Sequence, residues 1–189
     1  RRRFVSSPDI VLQPNSVESV QKIMRFCFEN RIRVTPQGGN TGLCGATVTT
    51  EGVLLNLSKL NRIRDINLAD NSMTVEAGVI LQNAQKAAAE AGRLFPLSLA
   101  SEGSCQIGGN IACNAGGLNV LRYGSMRDLV LGLEVVLPNG ELVSHLQPLH
   151  KNTTGYDLRH LFIGSEGTLG IITAATLKLF AQPKTKATA

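Results

Sequence analysis

The sequence predicts an α+β fold in two lobes, a small βαβ-like lobe over about residues 8–62 and a larger, mostly antiparallel lobe over about 63–182. Three observations predict it. An amphipathic segment with a capping signal lies between short extended runs near the N-terminus. A long apolar run turns back on itself through Asn139-Gly140, a tight hairpin signal. Glycine-rich stretches border the remaining strand-like runs and do not form a low-complexity tract.

In chain order, Pro8 to Pro14 forms a short extended piece bounded by prolines. Asn15 offers a helix N-cap with Glu18 as its capping-box partner. Val17, Val20, Met24, Cys27 and Phe28 then give one apolar face through about Asn30. Strands follow at Arg31–Thr35 and Val53–Leu57, separated by a glycine loop. Across Leu60–Asp70 charge rises and periodicity fades, which marks the joint between lobes. Met73–Ala77 is a strand, and Leu81, Ala84, Ala88 and Ala91 mark an alanine-rich helix closed by Gly92 as its C′ residue. Leu129–Leu137 pairs through the hairpin with Leu142-Val143, and Ile171–Phe180 is the last strand.

Three loops carry most of the 19 glycines. They are Pro36–Ala46, Gly103–Gly117 and Gly164–Gly170. The first is neither of two familiar phosphate loops. A P-loop ends in Gly-Lys-Ser/Thr, and no Lys lies between Lys22 and Lys59. A dinucleotide fingerprint runs straight into a helix, whereas Thr47–Gly52 is β-branched and ends in glycine. What remains is a concavity of backbone N–H groups suited to an anion, set against the plainer reading of a glycine-rich surface loop. Gly-Gly-Asn recurs at 38–40 and 108–110, but the flanks differ and there is no internal repeat.

Bulk properties narrow the function classes. The 189 residues suit about one domain, with 43% hydrophobic and 17% charged residues. The net charge of +5 is partly terminal, in Arg1 to Arg3, Lys184 and Lys186, and no basic helix or basic–aromatic interleaving points to nucleic acid. No apolar run reaches membrane-span length, and Arg1-Arg2-Arg3 is too short to establish the end of a trimmed targeting segment. Cys27, Cys44, Cys105 and Cys113 form no zinc-type spacing and read as free thiols in a reducing compartment, so no metal site is expected. His145 and His150 read as surface residues, and His160 as part of a short helix under the last loop; none is assigned a catalytic role.

Ordering three glycine loops costs backbone entropy, and convergence on one large ligand would explain the expense. A dinucleotide needs unhindered N–H donors for its diphosphate and a flat apolar slot with polar edges for its ring. The first loop suits the diphosphate, while Pro96, Ser101, Ser104, Asn110 and Asn114 offer rigid surface mixed with short polar groups.

The strings Pro-Gln-Gly-Gly-Asn-Thr-Gly-Leu, Gly-Ser-Cys-Gln-Ile-Gly-Gly-Asn, Asn-Ala-Gly-Gly, Leu-Arg-Tyr-Gly-Ser and Phe-Ile-Gly-Ser-Glu-Gly-Thr-Leu-Gly-Ile-Ile span roughly residues 8–180. Together they resemble the FAD-binding domain of the vanillyl-alcohol oxidase and p-cresol methylhydroxylase family. Within it they are most similar to the D-2-hydroxyacid dehydrogenases, which act on D-2-hydroxyglutarate or D-lactate. The resemblance implies FAD between the two lobes. Pro36, Gln37, Gly38, Gly39, Asn40, Thr41, Gly42 and Leu43 would form the diphosphate loop. Gly78, Pro96, Leu97, Ser101, Gly103 and Ser104 would line the flavin and ribityl side, together with Ile107, Gly108, Gly109, Asn110, Asn114 and Gly116. Gly167, Gly170 and Ile172 would back the ring or the adenosine. For the glycines the competing reading is a simple turn, and for Ser101, Asn110 and Asn114 a local backbone cap.

Relatives that attach FAD covalently often carry a His where this sequence has Asn40, so a non-covalent cofactor is expected. A thioether at Cys105 is the alternative to a plain buried thiol. The resemblance further implies hydride transfer from a D-2-hydroxy acid to flavin N5, giving a 2-oxo acid, with an electron acceptor for the reduced flavin. It places the substrate carboxylate site and general base in a C-terminal substrate domain absent from this chain. The expected compartment is the cytoplasm or mitochondrial matrix, with peripheral membrane association open. Two other readings stand beside this one: an FAD module or subunit of another flavin oxidase of the same fold, and a non-flavin domain with glycine loops.

Overall fold

A computed structural model describes residues 5–185; Arg1 to Arg3 and Lys186 lie outside the described residues. The first sheet has three parallel strands: β1 (Ile10–Leu12), β2 (Val34–Gln37) and β3 (Val53–Asn56), in the order β1-β3-β2. Thr35 and Val11 both pair with Leu54. Helix α1 (Val17–Glu29) makes the crossover between β1 and β2. Its cap is Ser16, not Asn15, with Ser16 Oγ accepting from Ser19 N at 3.2 Å. Its buried stripe is Val20, Met24 and Cys27, at i, i+4 and i+7, while Phe28 is turned outward. The strand expected from Arg31 starts at Val34 because residues 31 and 32 close the helix. Arg31 takes a φ of 54°, and Ile32 N donates to Cys27 O at 2.8 Å.

The second sheet has five antiparallel strands in the order β4-β5-β9-β7-β8. These are β4 (Ile63–Asn67), β5 (Ser72–Glu76), β7 (Val130–Val136), β8 (Leu142–His145) and β9 (Ile171–Lys178). The segment expected to be only a joint thus contains strand β4. Its missing periodicity has a cause: β4 is an edge strand with an irregular register between Ile63 and Asp65. The β7–β8 hairpin turns at Gly140, with a φ of 83° and its N–H donating to Leu137 O at 2.9 Å. His145 ends β8 and is exposed, as expected of a surface residue. A two-stranded pair, β6 (Arg93–Leu94) with β10 (Phe180–Ala181), closes the chain's end.

Helix α2 (Leu81–Glu90) packs Leu81, Ala84 and Ala88 inward and ends before Gly92, whose φ is 69°. Helix α3 (Ile107–Ala112) lies inside the second glycine stretch, where the sequence suggested only loop. Its weak helix formers are overridden by tertiary bonds: Ile107 N donates to Val79 O at 2.9 Å and Gly108 N to Ala77 O at 2.8 Å. Three one-turn helices complete the set: α4 (Val120–Tyr123), α5 (Met126–Leu129) and α6 (Arg159–Phe162). One core lies between one face of the five-stranded sheet and α2, α3 and α5. A second joins α1 and β3 to Leu60, Ala77, Val136 and Ile171, and so fastens the parallel sheet to the antiparallel one.

The other face of the large sheet carries a charged network across four strands. Arg64 of β4 donates to both carboxylate oxygens of Glu134 at 3.1 and 3.0 Å and to Glu76 at 3.3 Å. Arg62 adds a backbone and two side-chain bonds to Glu76 at 2.9 to 3.1 Å, and Thr173 Oγ1 donates to Glu134 at 2.9 Å. Burial acts to raise the Glu76 pKa, but the Arg62 hydrogen bonds and the Arg62 and Arg64 charges together lower it below its ordinary value of 4.5. Ionised Glu76 therefore adds stability above about pH 4.5, lost as pH falls through the lower folded value. Thermal melts between pH 7 and pH 3 should show that loss below pH 4.5. Glu76→Gln should flatten this part of the profile and cost about 3 kcal/mol at pH 7, the lower end for breaking a buried ion pair, because Arg64 keeps Glu134.

Candidate functional site

The first glycine loop leaves β2 and has no helix behind it through residue 50. Gly39 crosses the second stretch where any side chain would collide with the carbonyl of Ser104; a Cβ would also sit 3.2 Å from Cys105 Cα. Asn40 takes a φ of 50° and its Oδ1 accepts from Thr47 Oγ1 at 2.9 Å, which closes the loop on itself. Gly42 faces open space, Thr41 is half-buried and Leu43 is exposed. Among the described residues no acceptor is found for the amide N–H groups of Gly39 to Thr47. They are free to meet a ligand.

The second stretch divides. Gly108 seats α3 on β5, and a Cβ there would stand 2.6 Å from Ala77 Cβ. Gly109 faces open space and Ile107 is in the core. Gly78 lies tight against the carbonyls of Leu57 and Leu60, a packing role. Ser101 O holds a turn by accepting from Ser104 N and Cys105 N at 2.9 and 2.8 Å, with exposed Gly103 between. Asn114 Oδ1 accepts from Arg127 N at 2.9 Å, a bond to the start of α5 thirteen residues on. Gly116 lies against Val120. Pro96 and Leu97 sit apart, with their carbonyls bonded to Asn119 and Gln85 beside a different depression. Cys105 is buried in the main core.

The third loop is tied to the end of α3. Gly164 N donates to Ile111 O at 3.1 Å and Glu166 N to Ala112 O at 3.0 Å. Arg127 of α5 reinforces the tie. Its guanidinium donates to His160 O at 2.9 Å and Ile163 O at 2.6 Å, and Nη1 lies 3.1 Å from His160 Nδ1. His160 thus belongs to a brace under the loop. Gly167, at a φ of 81°, presses against the Pro36 ring, leaving no room for a Cβ.

All three loops meet at one cleft. Of the residues expected from sequence, Pro36, Gln37, Gly38, Gly108, Gly109, Gly167, Gly170 and Ile172 line it. Thr47, Leu57, Ala77, Cys113 and Glu166 also line it and were not foreseen. Glu166 lies inside a recognised string and Cys113 in the gap between two of them, which was the available signal; the others are ordinary apolar or β-branched positions. The lining holds no Lys, Arg or His. Burial first, then the Glu166 carboxylate and the Cys44 thiol, push the Cys113 pKa above its ordinary value, so it stays a neutral thiol. Among the described residues no group of three or more His, Cys, Asp or Glu is placed to hold a metal ion.

The cleft therefore suits a large, flat group bearing an anion that amide dipoles satisfy. Close backbone approach at Gly38, Gly109 and Gly167, unbonded N–H groups at Ala46 and Thr47, and an apolar floor at Ala77 and Ile172 fit FAD. Two substitutions in the first loop separate close approach from mere glycine content. Gly39→Ala should destabilise the chain by about 2 kcal/mol or more, because its obstruction is backbone that cannot swing away. Gly42→Ala should change stability by less than about 0.5 kcal/mol. Urea unfolding of the two variants checks this.

The profile of the family described as "FAD binding domain" matches residues 8–145. The D-2-hydroxyglutarate dehydrogenase of Xanthomonas citri is 48% identical over 183 residues, covering 96% of this chain and 39% of that protein. The D-2-hydroxyglutarate–pyruvate transhydrogenase of Saccharomyces cerevisiae is 44% identical over 184 residues, covering 97% and 37%. The mitochondrial D-2-hydroxyglutarate dehydrogenase of Danio rerio is 46% identical over 179 residues, covering 94% and 34%. The chain spans between a third and two fifths of the length of these relatives. Among solved structures, alkyldihydroxyacetonephosphate synthase superposes with a TM-score of 0.85 at 24% identity, over 97% of this chain and 34% of that one. The 6-hydroxy-D-nicotine oxidase of Arthrobacter nicotinovorans gives 0.84 at 21%, over 96% and 38%. At such identities the likeness speaks for the fold. With the three glycine loops gathered on one cleft and the family profile matched from the first strand to the end of the hairpin, the chain belongs to the FAD-binding domain family.

Proposed function

We propose that this chain is the cofactor-binding part of a flavin-dependent D-2-hydroxyacid dehydrogenase, with D-2-hydroxyglutarate the first candidate substrate and D-lactate the second. The reading rests on one observation: identity of 44 to 48% across nearly the whole chain to proteins named for D-2-hydroxyglutarate chemistry. A relative from Schizosaccharomyces pombe, 44% identical, is named as a putative D-lactate dehydrogenase, which keeps the second substrate in view.

In this reading the cofactor lies between a lobe of about residues 8–62 and one of about 63–182. The free amides of Gly39 to Gly42 hold the diphosphate, and Gly109, Gly167 and Ile172 bound the rest of the cleft. FAD supplies the hydride acceptor. The chain's own work is to bind, orient and exclude water: Gly39 and Gly108 let backbone close around the site, and apolar Leu57, Ala77 and Ile172 keep its floor dry. None of its residues is given the role of general base. That group and the substrate carboxylate site belong to the further length that the relatives possess, as does contact with an electron acceptor. The names of several relatives include "mitochondrial", which keeps the mitochondrial matrix beside the cytoplasm as the expected compartment. The cofactor is held without a covalent bond: Asn40 stands where a linking His is often found, and Cys105 is enclosed in the core.

The purified chain titrated with FAD should quench flavin fluorescence, and acid precipitation of the complex should leave the yellow colour in the supernatant. Colour retained by the pellet would overturn the non-covalent reading, and the absence of any flavin from protein carrying the full length of the relatives would overturn the whole proposal. In protein carrying the full length of the relatives, anaerobic D-2-hydroxyglutarate should bleach the flavin band faster than D-lactate at equal concentration. Bleaching by neither acid favours the alternative, an FAD module of a different flavin oxidase of this fold.

A further inference from the structure

The four cysteines divide by environment. Cys27 and Cys105 are buried in the two cores, whereas Cys44 and Cys113 are exposed. Both exposed thiols belong to the cleft. Cys113 is the C-cap of α3 and lines the cleft directly. Cys44 lies on the first glycine loop, just before Ala46 and Thr47, which line the same cleft.

The two segments that carry these thiols are fastened to each other. A Cβ on Gly38 would lie 3.9 Å from Gly109 N, and Gly109 O accepts from Cys113 N at 3.0 Å, one helical turn on. Past Gly39 the first loop folds back on itself: Asn40 Oδ1 accepts from Thr47 Oγ1 at 2.9 Å, and Val48 N donates to Gly45 O at 2.9 Å. Cys44 thus stands on a closed loop at the edge of the cleft. Gly42 faces open space and Gly45 has a φ of 79°, so the backbone on either side of Cys44 has room to move. On the α3 side, Glu166 N donates to Ala112 O at 3.0 Å and so brings the Glu166 carboxylate beside Cys113. The cleft walls desolvate the Cys113 thiol, and both Glu166 and Cys44 act on its titration, which agrees with all three groups sharing one mouth.

We propose that Cys44 and Cys113 are a modification site, a thiol pair that hydrogen peroxide oxidises to a disulfide across the mouth of the cleft. Cys44, exposed on its loop, takes the first step. Its sulfur attacks a peroxide oxygen, the O–O bond breaks, and a sulfenic acid and one water result. The Cys113 sulfur then attacks the Cys44 sulfur. The S–O bond breaks, the S–S bond forms, and a second water leaves with the Cys113 proton. Two thiols lose two hydrogen atoms in all, and one peroxide becomes two waters. The raised Cys113 pKa suits this order, because a thiol kept protonated is a poor nucleophile toward peroxide itself. A disulfide needs Cα atoms within about 7 Å, and the glycines flanking Cys44 let the loop meet that distance. A dithiol reverses the bond by exchange. The bridge spans space that FAD occupies in the proposed function, so disulfide and bound FAD exclude each other; this consequence rests on that reading, whereas the bond does not.

The folded chain treated with hydrogen peroxide, alkylated and digested without reductant should yield a linked peptide joining Cys44 to Cys113, with Cys27 and Cys105 recovered as thiols. Cys44→Ser and Cys113→Ser should each abolish the link. Further oxidation of Cys44 with no link, or a link through Cys27 or Cys105, would overturn the pair. In protein carrying the full length of the relatives, peroxide should weaken FAD binding at least about tenfold in a fluorescence titration. Dithiothreitol should restore it, prior loading with FAD should prevent the link, and Cys44→Ser should lose no affinity on the same treatment. A link that forms equally fast with FAD bound, or that leaves affinity within about twofold, overturns the exclusion. If the reduced full-length protein binds no FAD, the proposed function fails, while the linked peptide alone still decides the disulfide.

Discussion

The structure depends on backbone passing backbone with no side chain between. At Gly108 the first turn of α3 sits on the end of β5, bonded N–H to carbonyl at Ala77. At Gly39 the first loop crosses the turn that leads into α3, against Ser104 and Cys105. These two contacts bring the parallel sheet, the antiparallel sheet and the second glycine stretch to one place. A methyl group at either position would push them apart. Much of the cleft is thus a by-product of close packing: where backbones approach this nearly, side chains cannot fill the space.

That constraint also explains which features the sequence made legible. Elements that announce themselves by local chemistry were readable: the amphipathic stripe of α1, the alanine face of α2 ending at Gly92, and the Asn139-Gly140 hairpin. Antiparallel pairing of the second sheet followed from the hairpin and the β-branched final run. Features decided by distant partners were not readable. Helix α3 is written in Ile-Gly-Gly-Asn-Ile-Ala and exists because Val79 and Ala77 accept its first amides, 28 and 31 residues away. The helix cap moved by one residue, from Asn15 to Ser16, since either side chain has the chemistry and only the chain's path selects between them.

The cleft itself was legible in part, for the same reason. Glycines can be counted in sequence, so Gly38, Gly108, Gly109 and Gly167 were found. Their roles cannot be counted. Gly78 packs against Leu57 and Leu60, while Pro96 and Leu97 support a different surface. Thr47, Leu57 and Ala77 line the cleft although nothing in their local sequence distinguishes them from core or loop residues. The Arg127 brace joins residues 33 and 36 positions apart and has no local signature at all.

Charge is distributed in a way that fits this division of labour. The large sheet buries Glu76 and Glu134 on one face, where Arg64 and the exposed Arg62 give each carboxylate a fixed donor. The cleft, by contrast, carries no cationic side chain and one carboxylate, Glu166. An anion bound there must be held by directional amide groups and not by mobile ammonium or guanidinium charges. Amides fixed by the close crossings lose little freedom on binding, whereas a long cationic side chain would have to be ordered first. They are also less sensitive to salt than an exposed ion pair would be. Close backbone packing therefore does two things at once: it joins the two sheets, and it fixes the backbone amides that the proposed function assigns to a diphosphate.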